Sequence, residues 1–166
     1  MISTEEFDTG FHHVWRSVEN DFDLGLIDYE ADLQASTYYH LRKRFGDNRS
    51  DFRILCDVRL DGFRPDIGLE WRNPRRLWIA FEFKKMYDTL TDACKRDVGE
   101  KMRRYRSLGA ERGYFCFTVW KDCADTITAK LNRSAAWAKG KSWLAIAKGF
   151  HDRNGKVTDP WSVRIV

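Results

Sequence analysis

The sequence predicts an α/β domain: a mixed central sheet flanked by helices. Three observations predict it. Alternating or continuous apolar runs over 52–60, 67–71, 77–83 and 113–120 read as strands, and apolar residues recur at helical spacing over 7–18, 33–41 and 94–108. The order strand, helix, strand across 77–120 calls for a crossover between parallel strands, which is right-handed in nearly all proteins.

Ser3 followed by Glu6 makes a capping box for a first helix, whose inward stripe is Phe7, Phe11, Val14, Trp15 and Val18. A second helix is expected from Asp28 to Phe45, ended by Gly46. In "DFRILCDVRLD" the residues Phe52, Ile54, Cys56, Val58 and Leu60 share one face, as in a half-buried strand. "RPDIGLEW" is a second strand, "RNPRR" a turn centred on Pro74, and "LWIAFEFKK" a third strand. In that third strand alternation sets Leu77, Ile79, Phe81 and Phe83 against Trp78, Ala80, Glu82 and Lys84. A long helix follows over Asp92–Leu108, closed by Gly109, with Cys94, Val98, Met102, Tyr105 and Leu108 inward. "GYFCFTVW" is apolar almost throughout, as a central parallel strand is. Beyond Asp122 a further helix is expected to about Ala138, then a hairpin with Asn154-Gly155 as its turn and "WSVRIV" as its last strand.

At 166 residues the chain is expected to form one domain, with its core at about 28–120. A composition 43% hydrophobic and 33% charged excludes a disordered chain, and no apolar run approaches the roughly 20 residues that cross a bilayer. The acidic start "MISTEEFDTG" lacks the order of a secretion signal, and the four cysteines form no CxxC pair. Free thiols and a cytoplasmic setting are therefore expected. The net charge of +4 leans mildly toward polyanionic partners.

The chemistry concentrates on the hairpin. With its turn centred on Pro74, Asp66 and Glu82 lie opposite each other. Directly opposed side chains have Cβ atoms about 4.5–5.5 Å apart, where like charges repel. Two carboxylates held together at the end of an apolar hairpin require a cation. Lys84 stands one step further along the same face, and a plain Glu82–Lys84 salt bridge is the simplest alternative. A hard divalent ion with oxygen ligands, Mg²⁺ above all, suits the pair better, and no His or Cys converges here to suggest zinc.

Pro65-Asp66, a hairpin turn and then Glu82-Phe83-Lys84 resemble the signature of the PD-(D/E)XK nuclease superfamily. The upstream helix "DYEADLQASTYYHL" resembles that family's first core helix, with Glu30 at the acidic position and Leu33, Thr37 and Leu41 inward. The element order from Asp28 to Trp120 also resembles the family core, a restriction-endonuclease-like αβββαβ arrangement covering a little over half of the chain. The N-terminal helix and the C-terminal helix plus hairpin lie outside the resemblance.

The resemblance implies metal-assisted hydrolysis of a phosphodiester, with DNA favoured over RNA. Asp66, Glu82 and the backbone carbonyl of Phe83 would bind Mg²⁺ (or Mn²⁺), with Glu30 as a further ligand. Lys84 would orient water or stabilise charge on the phosphate. Lys95, Lys101 and Arg104, on a helix rich in Lys and Arg, would track phosphates, although an ordinary solvated helix face reads the same way. Arg72, Arg75 and Arg76 at the hairpin turn are further possible contacts, at the end away from the acids. Of the seven tryptophans only Trp137, Trp143 and Trp161 are placed to stack on bases, and His12, His13, His40 and His151 show no ligand spacing. No membrane partner is expected, and cutting both strands of a duplex calls for a homodimer. The alternative from another class is a non-catalytic nucleic-acid-binding or assembly subunit that keeps the fold.

Overall fold

The computed structural model describes residues 2–46, 50–57, 59, 64–85, 92–123 and 143–165, the backbone alone for 92–95. Its elements run α1 (Thr4–Asp23), α2 (Glu30–Phe45), β1 (Phe52–Cys56), β2 (Ile67–Arg72), β3 (Arg75–Lys85), α3 (Asp92–Ser107), β4 (Arg112–Trp120), β5 (Leu144–His151) and β6 (Val157–Ile165). The six strands form one mixed sheet in chain order. β1, β2 and β3 make an antiparallel meander, β3, β4 and β5 are parallel, and β6 returns antiparallel along β5. β4 is therefore central, and all its residues from Arg112 to Val119 are buried. Residues 121–123 are helical, and the remainder of the helix expected up to Ala138 lies outside the described residues.

The sheet separates two apolar layers. Phe7, Phe11, Trp15 and Val18 of α1 and Leu33 and Leu41 of α2 pack with Phe81, Phe83 and Tyr114 on one face. Val98, Met102 and Tyr105 of α3 pack with Leu77, Ala80 and Phe117 on the other. α1 starts where its capping box places it: the Glu6 amide donates to Ser3 Oγ at 3.1 Å and the Ser3 amide to Glu6 Oε2 at 2.7 Å. Gly10 in mid-helix leaves room for Phe45, whose ring would lie 2.5 Å from a Cβ there, so α1 and α2 close up at that point.

Three local expectations are corrected. α2 begins at Glu30 and not Asp28, because the Asp32 carboxylate accepts from the amides of Asp28 and Tyr29 and holds them outside the helix. β1 stops at Cys56, which is exposed and not inward-facing; Asp57 takes φ +51, which ends the pleat, and Val58 and Leu60 lie outside the described residues. On β3, Trp78 packs with Ile79 and Phe81 while Leu77 packs with Ala80, the reverse of simple alternation. A bulge that leaves Trp78 without a direct partner on β2 shifts the phase.

One buried polar cluster was not foreseen. Asp8 of α1 accepts two hydrogen bonds from Arg112 of β4, at 3.0 and 2.6 Å, and a third from the Tyr114 hydroxyl. It ties the N-terminal helix to the central strand across the apolar layer.

Candidate active site

The turn joining β2 to β3 is Asn73-Pro74, so Arg72 faces Arg75 and Glu70 faces Leu77. A two-residue turn alone would carry Asp66 opposite Phe81. The Trp78 bulge advances β3 by one residue, and from there Leu69 faces Ile79, Gly68 faces Ala80 and Ile67 faces Phe81. The paired register ends at Ile67 and Phe81, and the Asp66 amide also donates to the Phe81 carbonyl at 3.1 Å, so Asp66 stands just outside β2 beside Phe81. The two acids are neighbours, since the charge of Asp66 acts on Glu82, but the direct opposition expected from a turn centred on Pro74 is not among the paired positions.

Each acid has its own donors. Asp66 Oδ2 accepts from the Phe83 amide at 2.8 Å, and its backbone carbonyl accepts from Gln34 Nε2 of α2 at 2.6 Å. Glu82 is fully buried on the α3 side, where Oε2 accepts from Lys101 Nζ at 2.8 Å and Oε1 from the Tyr105 hydroxyl. Lys101 and Tyr105 are one helical turn apart and so reach the same carboxylate. Glu30, the first residue of α2, accepts from Lys84 Nζ at 3.0 Å and from the Lys85 amide at 3.3 Å. The Glu82–Lys84 bridge therefore does not form: Glu82 pairs with Lys101, and Lys84 with Glu30. Lys85 reaches past them to the carbonyls of Ile27 and Asp28, pinning the α1–α2 loop to the end of β3.

Burial, together with the charge of Asp66, pushes Glu82 up to about 7, against the pull of Lys101 and Tyr105. Burial also raises Asp66, opposed by the Phe83 amide, Lys101 and Lys84. Burial disfavours the charged form of Lys84, but the Glu30 hydrogen bond and the surrounding acids outweigh it and hold its pKa above the ordinary lysine value. A carboxyl whose pKa rises from 4.5 unfolded to about 7 folded binds more protons in the native state between those pH values. Its stabilising contribution is full below pH 4.5 and gone once the pH has risen through 7. We expect chemical denaturation to show stability falling across that window by up to about 3 kcal/mol, and Glu82→Gln, which mimics the protonated form, to flatten the fall. A Glu82→Gln profile that parallels the parent's would remove Glu82 as the group responsible.

The donors suit a hard cation. All are oxygens, three carboxylates face two ammonium groups, and Asp66 Oδ1 has no protein partner among the described residues. As the side chains stand, no group of three or more His, Cys, Asp or Glu among the described residues is gathered tightly enough to hold an ion, and lysines pair with Glu30 and Glu82.

Of the residues expected to track phosphates, Arg104 is exposed on α3, Lys101 is turned in to Glu82, and the Lys95 side chain lies outside the described residues. At the hairpin turn Arg75 pairs with Glu70 and Arg76 with Glu111. Trp143 and Trp161 are buried, which removes them as base-stacking surfaces; Trp137 lies outside the described residues. His40 pairs with Asp21, and His151 is buried. The sequence pattern sets Tyr105 on the inward stripe of α3 without a site role and gives no reason to place Gln34 at the site. Tyr105 had a signal: a hydroxyl on an otherwise apolar stripe needs a buried partner. Among the described residues no helix is long and apolar enough to cross a membrane.

Compared with protein-family models, with curated proteins and with solved structures, the chain matches none.

Proposed function

We propose that this protein is a metal-dependent nuclease of restriction-endonuclease-like architecture, hydrolysing phosphodiester bonds, in DNA before RNA. The observation that carries the reading is the proximity of Asp66 and Glu82 at the inner end of the β2–β3 hairpin, with Asp66 held by the Phe83 amide, Lys84 one step beyond Glu82 and Glu30 brought to Lys84 by α2. The meander β1–β2–β3 followed by α3 and parallel β4 supports the fold assignment. Asp66, Glu82, the Phe83 carbonyl and Glu30 would hold Mg²⁺. When bound, the ion lowers the pKa of a water and offsets charge growing on the phosphate.

The chain's own groups have separable tasks. The Phe83 amide fixes the Asp66 carboxylate, and Tyr105 fixes that of Glu82. Lys84, held by Glu30 and charged at neutral pH, orients the attacking water or stabilises the crowded phosphate. The exposed Arg103 and Arg104 of α3 lend positive charge to a polyanion alongside.

The first test is thermal. Mg²⁺ or Mn²⁺ at millimolar concentration should raise the melting temperature, since it binds only the folded cluster, and Asp66→Asn should abolish the rise. An equal rise in mutant and parent would exclude Asp66 as a ligand. One observation favours the second reading, a nucleic-acid-binding or assembly subunit without turnover: both Glu82 oxygens already have protein donors. A parent that binds DNA but neither responds to metal nor cleaves would select it.

A further inference from the structure

We propose that Lys101 is a tethered placeholder for the divalent cation: its ammonium sits on Glu82 in the metal-free protein and swings to Asp97 when the ion binds. The inference rests on the nuclease reading and goes beyond it, since it assigns to α3 a residue that sets how tightly the ion is held. Three features of Lys101 carry it. Its Nζ lies 2.8 Å from Glu82 Oε2, on an acid with no solvent exposure of its own. The same Nζ lies 3.7 Å from Asp97 Oδ2, one helical turn earlier on α3, and Asp97 is exposed. Lys101 is itself partly exposed, with a side-chain exposure of 29%, so the path from the buried acid to the surface acid runs along its own stem.

The chemistry of lysine suits such a role. A buried carboxylate with no countercharge is costly, and the metal-free protein meets that cost with a charge it carries itself. An ammonium on a flexible four-carbon stem can leave one acid and reach another without moving the backbone. Tyr105 holds the other Glu82 oxygen throughout, so the carboxylate keeps its orientation when Lys101 departs. Only an ion carrying more charge than the ammonium gains by displacing it, so a monovalent ion does not compete for Glu82 while Mg²⁺ does.

The test is calorimetric titration of Mg²⁺ alone into the full chain at pH 8.5. Lys101→Met removes the competitor and should tighten Mg²⁺ binding by at least about tenfold, whereas a merely structural lysine would give unchanged or weaker binding. Lys101→Arg keeps the charge and should stay near the parent. Asp97→Asn removes the resting place and should weaken binding several-fold; its position is exposed, so it also serves if Lys101→Met does not fold. Tighter binding in Lys101→Met together with weaker binding in Asp97→Asn supports the placeholder, as does binding by Lys101→Met where the parent shows none. A parent that binds Mg²⁺ while Lys101→Met shows no gain, or Asp97→Asn no loss, overturns it and leaves the nuclease reading standing. Absence of binding in parent and Lys101→Met alike overturns both.

Discussion

Lys84→Ala is expected to lower single-turnover cleavage of DNA by about 10²–10³-fold while Mg²⁺ binds as well as in the parent or better. The ion pair with Glu30 explains both halves. Removing the Lys84 ammonium takes away the positive charge that the nuclease reading sets beside the phosphate and frees Glu30 Oε1, which now accepts from it at 3.0 Å. Asp66 and Glu82 keep the Phe83 amide, Lys101 and Tyr105 as partners and stay where they are. Glu82→Gln should behave differently and weaken metal binding and cleavage together, because on the nuclease reading it removes a charged oxygen ligand. Calorimetry beside single-turnover assays on duplex and single-stranded DNA separates the two. Equal loss of stability in both variants, with no metal-dependent activity in the parent, would reduce Glu82 and Lys84 to structural ion-pair members.

The second large effect is on the fold. Arg112→Ala leaves Asp8 buried without its cation, and breaking such a pair costs about 3–5 kcal/mol. The loss should appear in urea denaturation as a lower midpoint with an unchanged slope. Replacing both partners, as Asp8→Leu with Arg112→Met, should recover much of it, since no unpaired charge then remains. A single substitution costing under about 1 kcal/mol would place the pair in water-accessible surroundings, contrary to its burial. The site lies elsewhere on the sheet, so on the nuclease reading the Mg²⁺ affinity of any folded double variant should match the parent's.

How much of this was legible in the sequence differs by level. The inward stripe of α1 was legible because helical spacing leaves its large apolar residues no other common surface, and Phe7, Phe11, Trp15 and Val18 are all buried. β4 was legible as a central strand because an unbroken apolar run needs cover on both faces. A turn centred on Pro74 predicts that Asp66 opposes Glu82, yet the turn is Asn73-Pro74, the bulge at Trp78 shifts the register, and the pairing stops at Ile67 and Phe81 with Asp66 beside it. The bulge also exchanges the faces of Leu77 and Trp78, which no alternation rule anticipates.

The sequence by itself determined the order of the elements from α1 to β4, the buried stripe of α1 and two acids with a lysine two residues beyond the second. These follow from periodicity and from backbone rules that act within a few residues. The tertiary structure alone decided which cation meets which acid. Lys84 is near Glu82 in sequence but pairs with Glu30 across the gap to α2; Lys101, nineteen residues away on a helix that reads as a solvated basic face, reaches Glu82 from the other side of the sheet. Periodicity carries no information about which of two long, flexible ammonium stems ends at a given carboxylate. That choice is made by the crossover that lays α3 over β3 and by the cost of leaving Glu82 buried and unpaired.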